Sequence, residues 1–132
     1  MKIIVVVAAV IERSGKLLIT RRLKDTHLAG LWEFPGGKCE PDETHEHCLE
    51  REIDEELGVD AVVGAQILAV EHTYPDRRVR LHFRWCTIEG EPEARLGQEM
   101  RWVERHELRQ LEFPAADREL IRRLSETETP NT

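Results

Sequence analysis

The chain opens with an unbroken apolar run that is followed by a turn. Every residue of Ile3–Ile11 is hydrophobic and most are β-branched, which predicts a strand buried on both faces. Ser14 and Gly15 form a turn signal, and a second strand-like run follows at Lys16–Arg21. The first run also resembles the apolar part of a secretion signal in length, but the turn and the second run favour a β-hairpin.

The clearest helical pattern lies in the middle of the chain. It predicts a helix over Asp42–Leu57, with Pro41 as its start signal and Gly58 as its stop signal. The apolar positions of this helix recur at every fourth residue: Leu49, Ile53 and Leu57. This spacing puts them in one stripe, and such a stripe must pack against a core.

Short strands and helices make up the rest of the pattern. Glycine and proline residues mark a loop region before the helix, around a short extended piece at Leu31–Phe34. Further strands are predicted at Ala61–Glu71, Val79–Ile88 and Met100–Val103. The last helices are predicted near Arg105–Gln110 and Ala115–Leu124.

The order of these elements indicates the fold class. Strands and helices interleave without a regular βαβ rhythm, so we expect an α/β fold with a mixed β-sheet covered by helices on two faces. The 132 residues, 40% of them hydrophobic, suffice for one core. We therefore expect a single domain over residues 1–124 and a frayed tail over residues 125–132.

Charge and hydropathy exclude several classes of partner. The 26 acidic residues outnumber the 19 basic ones and give a net charge of -7, which disfavours a nucleic acid as partner. No apolar run reaches the roughly 18 residues that a membrane-spanning helix needs, so no membrane partner is expected. A small anionic substrate fits if divalent metals supply positive charge. We expect a cytoplasmic monomer or homodimer.

The number and spacing of the cysteines do not indicate a disulfide bond. The chain has an odd number of them, Cys39, Cys48 and Cys86, and no two are spaced as a CxxC pair. Neither a disulfide framework nor a structural zinc site is therefore expected. This usage fits a reducing compartment.

The predicted central helix carries a group of acidic residues. At about 100° per residue, Glu52, Glu55 and Glu56 fall within an arc of roughly 100° on one face. Such a cluster repels itself unless a cation lies among the carboxylates, and hard oxygen ligands suit Mg²⁺ or Mn²⁺. A solvated acidic face is the alternative, but the apolar stripe lies only about 110° away, which puts these carboxylates beside the core.

The same stretch carries a recognisable motif. Its fixed positions are Gly37, Glu43, Arg51-Glu52-Ile53, Glu55-Glu56 and Gly58-Val59. With these residues at these spacings, the stretch resembles an intact Nudix box. The segments Leu31–Lys38, Tyr74–Arg77 and Phe113–Ala116 resemble the MutT-like branch of the Nudix family, so the resemblance covers nearly the whole chain.

The resemblance implies both a fold and an activity. The fold would be a Nudix-like α/β/α sandwich with a mixed β-sheet. The activity would be metal-dependent hydrolysis of a nucleoside triphosphate to monophosphate and pyrophosphate, with 8-oxo-dGTP or cytidine nucleotides as substrates and cleansing of the nucleotide pool as its role. Cleavage of ADP-ribose or a dinucleotide is a second possibility within the family. The alternative that is not an enzyme is a nucleotide-sensing module without catalytic activity.

The resemblance also assigns residues to the catalytic centre. Glu52, Glu55, Glu56 and the carbonyl group of Gly36 would bind Mg²⁺ or Mn²⁺. Either Glu52 or Glu55 would act as general base. Arg51 would support these glutamates by pairing with them and with Glu43.

Further residues are candidates for binding substrate. Arg22 and Lys38 would contact phosphate groups, and Gly37 would bring the backbone close to them in a tight turn. Phe34 would stack on the base, which Asp117 would read through its hydrogen bonds. For Arg22 the alternative is a solvated charge at a strand end, and for Asp117 it is a helix cap.

One position departs from the pattern of MutT-like relatives. They often carry a glutamate about six residues before a tryptophan, and six residues before Trp102 this chain has Leu96. Glu99 lies nearby and is the candidate replacement. The alternative is that Glu99 is an ordinary solvated loop residue.

Overall fold

The computed structural model describes residues 2–26 and 28–126. Its strands are β1 (Ile3–Arg13), β2 (Lys16–Arg21), β3 (Trp32–Glu33), β4 (Gly36–Lys38), β5 (Asp60–Tyr74), β6 (Arg77–Glu89) and β7 (Met100–Glu104). Its α-helices are α1 (His45–Leu57) and α2 (Arg118–Glu126). Two 3₁₀ helices, Arg105–Gln110 and Ala115–Asp117, lie between β7 and α2.

The first strand lies at the centre of a mixed sheet. β1 pairs in parallel with β6 and antiparallel with β4 along its first part, and its last residues pair with β2. Ala8 and Val10 pack into a core shared with α2, whereas Val7, Ala9 and Ile11 pack into a second core shared with α1. Burial on both faces explains why the run is apolar throughout. The predicted mixed sheet with helices on two faces is confirmed.

The helix α1 begins later than predicted. Pro41 and Asp42 do not start it, because residues 40–43 form a separate turn in which Glu43 N–H donates to the Glu40 carbonyl at 3.1 Å. The N-cap is Thr44, whose hydroxyl accepts from His47 N–H at 3.1 Å. The predicted end is confirmed: Gly58 adopts a φ of 68°, and its N–H donates to the Asp54 carbonyl.

Some elements differ from the sequence-based prediction. Gly36 and Gly37 lie in the short strand β4 and do not form the tight turn that we expected. The hairpin β5–β6 is longer than predicted at both ends. The final predicted helix divides into the 3₁₀ segment Ala115–Asp117 and α2, which includes the first two residues of the predicted tail. The rest of that tail, 127–132, lies outside the described residues.

The expectation about the cysteines was wrong. Cys39, just after β4, and Cys48, in α1, form a disulfide with their Cα atoms 5.3 Å apart. The sequence separation of 9 residues matches no short motif, and only the packing of α1 against β4 brings the two thiols together. Cys86 is a buried free thiol. Neither α1 nor α2 is long and apolar enough to cross a membrane, and the same holds for every helix of the described residues.

Candidate active site

The strand β4 and the helix α1 meet at the centre of the candidate site. The N–H group of Gly36 donates to the Glu56 carboxylate at 3.0 Å. Gly37 faces the carboxyl group of Glu52 so closely that a Cβ atom at position 37 would require this side chain to shift. At position 36 a Cβ atom would collide with the backbone carbonyl of Val7, so only glycine fits there, and the backbone of β4 comes close to the acidic helix.

Arg51 links the acidic residues of the motif. Its guanidinium donates two hydrogen bonds of 2.7 Å to the Glu43 carboxylate and one of 2.8 Å to Glu52. It also contacts Glu55 at 3.5 Å and the Lys38 carbonyl at 3.2 Å. The hydrogen bonds from Arg51 lower the pKa of Glu43 to about 2. The predicted pairing of Arg51 with Glu43 is present, and it ties the turn before α1 to the acidic face.

The three glutamates of the acidic face have different surroundings. Glu56 is turned toward β4, Glu52 is bound by Arg51, and the side chain of Glu55 is 57% exposed. Among the described residues, the group whose ligand atoms lie within 4.8 Å of one another is a different one, Glu104, His106 and Glu107. Glu52, Glu55 and Glu56 thus share one face of α1, but the carboxylate oxygens of all three do not lie within 4.8 Å of one another in the described part of the chain.

Burial perturbs the acids nearest to the cavity. Loss of hydration, together with the neighbouring carboxylates of Glu33 and Glu52, raises the pKa of Glu56 to about 8 from 4.5. Burial also raises the pKa values of Glu33 and Glu52, although Arg22 and Arg51 act in the opposite direction. The charges of Arg22 and Arg51 therefore do not offset the effect of burial on the pKa values of these carboxyl groups.

These residues fit a divalent metal ion. Three carboxylates and the carbonyl of Gly36 offer hard oxygen donors of the type that Mg²⁺ and Mn²⁺ prefer. Burial raises the pKa of the Glu56 carboxyl group, and a bound cation would favour its ionised form. The ligands that such an ion would use are Glu52, Glu55, Glu56 and Gly36.

A cavity of about 390 Å³ leads away from this centre. Of the predicted residues, the cavity brings together Arg22, Phe34, Gly36, Gly37, Lys38, Glu56 and Asp117. Glu52 lines a second cavity, together with Arg51 and Glu43. Lys38, at the end of β4, borders both cavities.

The lining of the first cavity includes a second buried carboxyl group, that of Asp117. Asp117 is only 5% exposed, and it lies directly before α2. Burial, with a contribution from Glu33, raises its pKa to about 7 from 3.8. The neighbouring charge of Asp117 in turn adds to the burial that raises the pKa of Tyr74. The raised pKa of Asp117 is therefore close to neutral pH.

The structure adds two residues that the sequence analysis missed. Glu33 lines the cavity, bonds Arg22 at 2.7 Å and lies near both Glu56 and Asp117. Tyr74 lines the same cavity at the end of β5. A signal for Glu33 existed, because it is an acidic residue between two buried aromatic ones, directly before the glycines.

Two of the predicted site residues, Phe34 and Glu99, are already in contact with other side chains of the protein. Phe34 is buried, with one face stacked on Phe113 at 5.4 Å, so it contributes to the cavity wall as part of an aromatic pair. Glu99 pairs with Arg21 at 3.3 Å and borders a different cavity. Stacking by Phe34 and catalysis by Glu99 both stay predictions.

Comparison with known proteins agrees with these features. A family model described as the NUDIX domain matches residues 6–123. A CTP pyrophosphohydrolase from Escherichia coli K12 is 41% identical, over 92% of this chain and 90% of its own. An 8-oxo-dGTP diphosphatase from Haemophilus influenzae is 39% identical, over 93% of this chain and 92% of its own. The solution structure of the E. coli protein ORF135 superimposes with a TM-score of 0.83 at 40% identity, covering 92% of this chain and 88% of that one.

Proposed function

The chain belongs to the NUDIX family as a MutT-like hydrolase, and we propose that it cuts nucleoside triphosphates to nucleoside monophosphate and pyrophosphate. We further propose Mg²⁺ or Mn²⁺ as the metal and a cytidine nucleotide or 8-oxo-dGTP as the substrate. Two relatives named for these nucleotides match nearly the whole chain.

The observation that carries this proposal is the continuity of the first cavity. Its lining includes Glu56 and Gly36 from the acidic centre, and also Asp117 and Tyr74 from other elements. Its volume of about 390 Å³ is in the range of small-molecule sites. A nucleotide can therefore lie with its phosphates toward the acidic helix and its base toward Asp117.

The proposed reaction uses the residues as follows. A bound divalent metal would neutralise phosphate charge and make an attacking water more acidic. Lys38 and Arg22 would contact phosphate oxygens, with Arg22 oriented by its ion pair with Glu33. The proton of the attacking water would pass to Glu52 or Glu55. Arg51 would position these glutamates through its bonds to Glu43 and Glu52.

Asp117 would select the base by its protonation state. An ionised carboxylate offers acceptors only, which suits a donor such as cytosine N4, whereas a protonated carboxyl group offers one donor and one acceptor, as 8-oxoguanine requires. A pKa of about 7 makes both forms available near neutral pH. This property supports both kinds of nucleotide as substrates.

The decisive experiment is product analysis on a panel of substrates. We expect dCTP and 8-oxo-dGTP to give monophosphate and pyrophosphate by phosphorus NMR, with no turnover in the presence of a chelator. Orthophosphate as the first product would contradict the proposal. Faster cleavage of ADP-ribose or a dinucleotide would favour the second activity of the family. Nucleotide binding without turnover, in both Mg²⁺ and Mn²⁺, would indicate a sensing module. Sedimentation in the same buffer distinguishes a monomer from a homodimer, the two states that the sequence analysis left open.

A further inference from the structure

The disulfide joins two parts of the candidate site. Cys39 directly follows β4, which contributes Gly36 and Gly37, and its N–H group donates to the Val5 carbonyl at 2.9 Å. Cys48 lies one helical turn before Glu52 on α1. The bond therefore connects the backbone that faces the acidic residues to the helix that carries them.

The crosslinked loop includes the partner of Arg51. Residues 39–48 form a ring closed by the disulfide, and Glu43 lies within it. Arg51 donates hydrogen bonds to Glu43 within this ring and to the carbonyl of Lys38, the residue directly before it. Because a crosslink removes conformational freedom from the segment that it closes, it restricts the motion of Glu43 relative to Arg51.

The two sulfur atoms differ in access. Cys48 is fully buried. Cys39 is half-buried and lines the second cavity, a space of about 800 Å³ that it shares with Glu40 and Pro41. Small oxidants and thiols can therefore approach Cys39 more readily than Cys48. Cys86 is buried and unpaired, and it serves as a control within the same chain.

We propose that Cys39 and Cys48 form a reversible redox site that orders the metal-binding centre when it is oxidised. The oxidant is a peroxide such as hydrogen peroxide. The Cys39 thiolate attacks the O–O bond, forms a sulfenic acid and releases hydroxide, which takes up the proton lost by Cys39. The Cys48 thiol then displaces the sulfenic oxygen as water and forms the S–S bond. Two thiols and one peroxide thus give one disulfide and two waters. A dithiol then reduces the disulfide to two thiols by exchange and is itself oxidised to a disulfide.

The first test counts thiols under denaturing conditions and needs no activity. Wild-type protein treated with peroxide should expose one thiol, that of Cys86, and reduced protein should expose all three. Cys86→Ala should expose none when oxidised and two when reduced. Cys39→Ser should expose two thiols in both states. Three thiols in oxidised wild type, or a crosslink between two chains, would overturn the proposal.

The second test measures Mn²⁺ binding by electron paramagnetic resonance after the redox reagents have been removed. It rests on the proposed function, because it needs the metal site. The oxidised wild type should bind Mn²⁺ roughly tenfold more tightly than the reduced form, the size of effect expected when support for metal ligands is lost. Cys86→Ala should retain this difference, and Cys39→Ser should bind like the reduced form throughout.

The outcomes separate the two proposals. Equal Mn²⁺ affinity in both redox states of the wild type would overturn the coupling, even if the disulfide forms. Absence of Mn²⁺ binding in every variant and state would instead contradict the proposed metal-dependent function, while the thiol count would still test the redox site.

Discussion

Among the carboxyl groups of the candidate metal centre, Glu56 is the one whose pKa is raised most by burial and neighbouring charge. It accepts a hydrogen bond from Gly36, yet burial and two nearby carboxylates raise its pKa to about 8. In the metal-free protein it therefore retains a proton over a pH range in which an exposed glutamate is ionised. A metal ligand with this property exchanges its proton for the metal, so metal binding should release protons near neutral pH.

This property predicts an opposite effect of one substitution on stability and on activity. The folded-state pKa of Glu56 exceeds its ordinary value of 4.5, so its contribution to stability is complete below about 4.5 and is lost as the pH rises through about 8. In the presence of a chelator at pH 8, Glu56→Gln should therefore raise the free energy of unfolding by roughly 1–3 kcal/mol. The same change should lower kcat at least about 10²-fold. Thermal unfolding at pH 6 and pH 8 and steady-state kinetics measure both.

Glu55 supplies the matched control for Glu56. Its side chain is 57% exposed, so Glu55→Gln should leave the unfolding free energy nearly unchanged at both pH values. It should still lower kcat at least about 10²-fold if its carboxylate binds the metal or accepts the proton. Turnover at the wild-type rate in saturating Mg²⁺, by either glutamine variant, would refute the role of that residue.

A second single-residue prediction concerns the choice of base by Asp117. As the pH rises through about 7, Asp117 loses its ability to donate. The ratio of kcat/KM for dCTP to that for 8-oxo-dGTP should therefore increase across this range. In Asp117→Asn the ratio should lose this pH dependence and shift at least about tenfold toward 8-oxo-dGTP, which corresponds to one good base contact.

Steady-state kinetics on both nucleotides between pH 6 and pH 8.5 provides the test. Asp76→Asn is a suitable control, because Asp76 lies in the nearby β5–β6 turn, where it pairs with Arg77. A variant at Asp117 that lowers both kcat/KM values by one common factor would show that this residue does not read the base.

At the scale of elements, one side chain of α1 connects this helix with the turn before it and with β4. Arg51 contacts Glu43, Glu52 and the end of β4 at the same time. A guanidinium can do this because its donors form a rigid planar fork, whereas an ammonium group is a single point of charge.

Arg51→Lys should therefore weaken metal binding while the fold is retained. We expect the Mg²⁺ concentration for half-maximal activity to rise roughly tenfold or more. Arg84→Lys is the matched control, because Arg84 also pairs with a glutamate of α1, Glu46, at 2.8 Å. A titration of activity with Mg²⁺ compares the two variants, and equal metal requirements would argue against a positioning role for Arg51.

At the scale of the whole molecule, the candidate site includes residues from the two helical layers, one on each face of the sheet. Glu56 belongs to α1, which packs on one face of the sheet, and Asp117 lies directly before α2, which packs on the other. The first cavity reaches both residues past the end of β4. A substrate in this cavity would contact both layers, which explains why neither half of the chain contains the site alone.

The sequence predicted those features that depend on neighbouring residues in the chain. The apolar run of β1, the stripe of α1 and its glycine stop follow local periodicity, and the structure confirms them. The spacing of the Nudix box likewise placed Arg51 and three glutamates on one helix. For Arg51 the prediction extended to its partner, Glu43, because the motif includes both residues.

Other features depended on contacts between distant parts of the chain. The strand β4 exists because Gly36 and Gly37 pair with β1, although the same glycines in isolation indicate a turn. The disulfide needs α1 to pack beside β4. The burial of Glu33 and Asp117, which raises their pKa values, arises where the ends of several elements close one cavity. Local pattern thus determined which elements form and which chemistry they carry, whereas solvent exclusion and proximity, which set protonation and pairing, arose only in the tertiary structure.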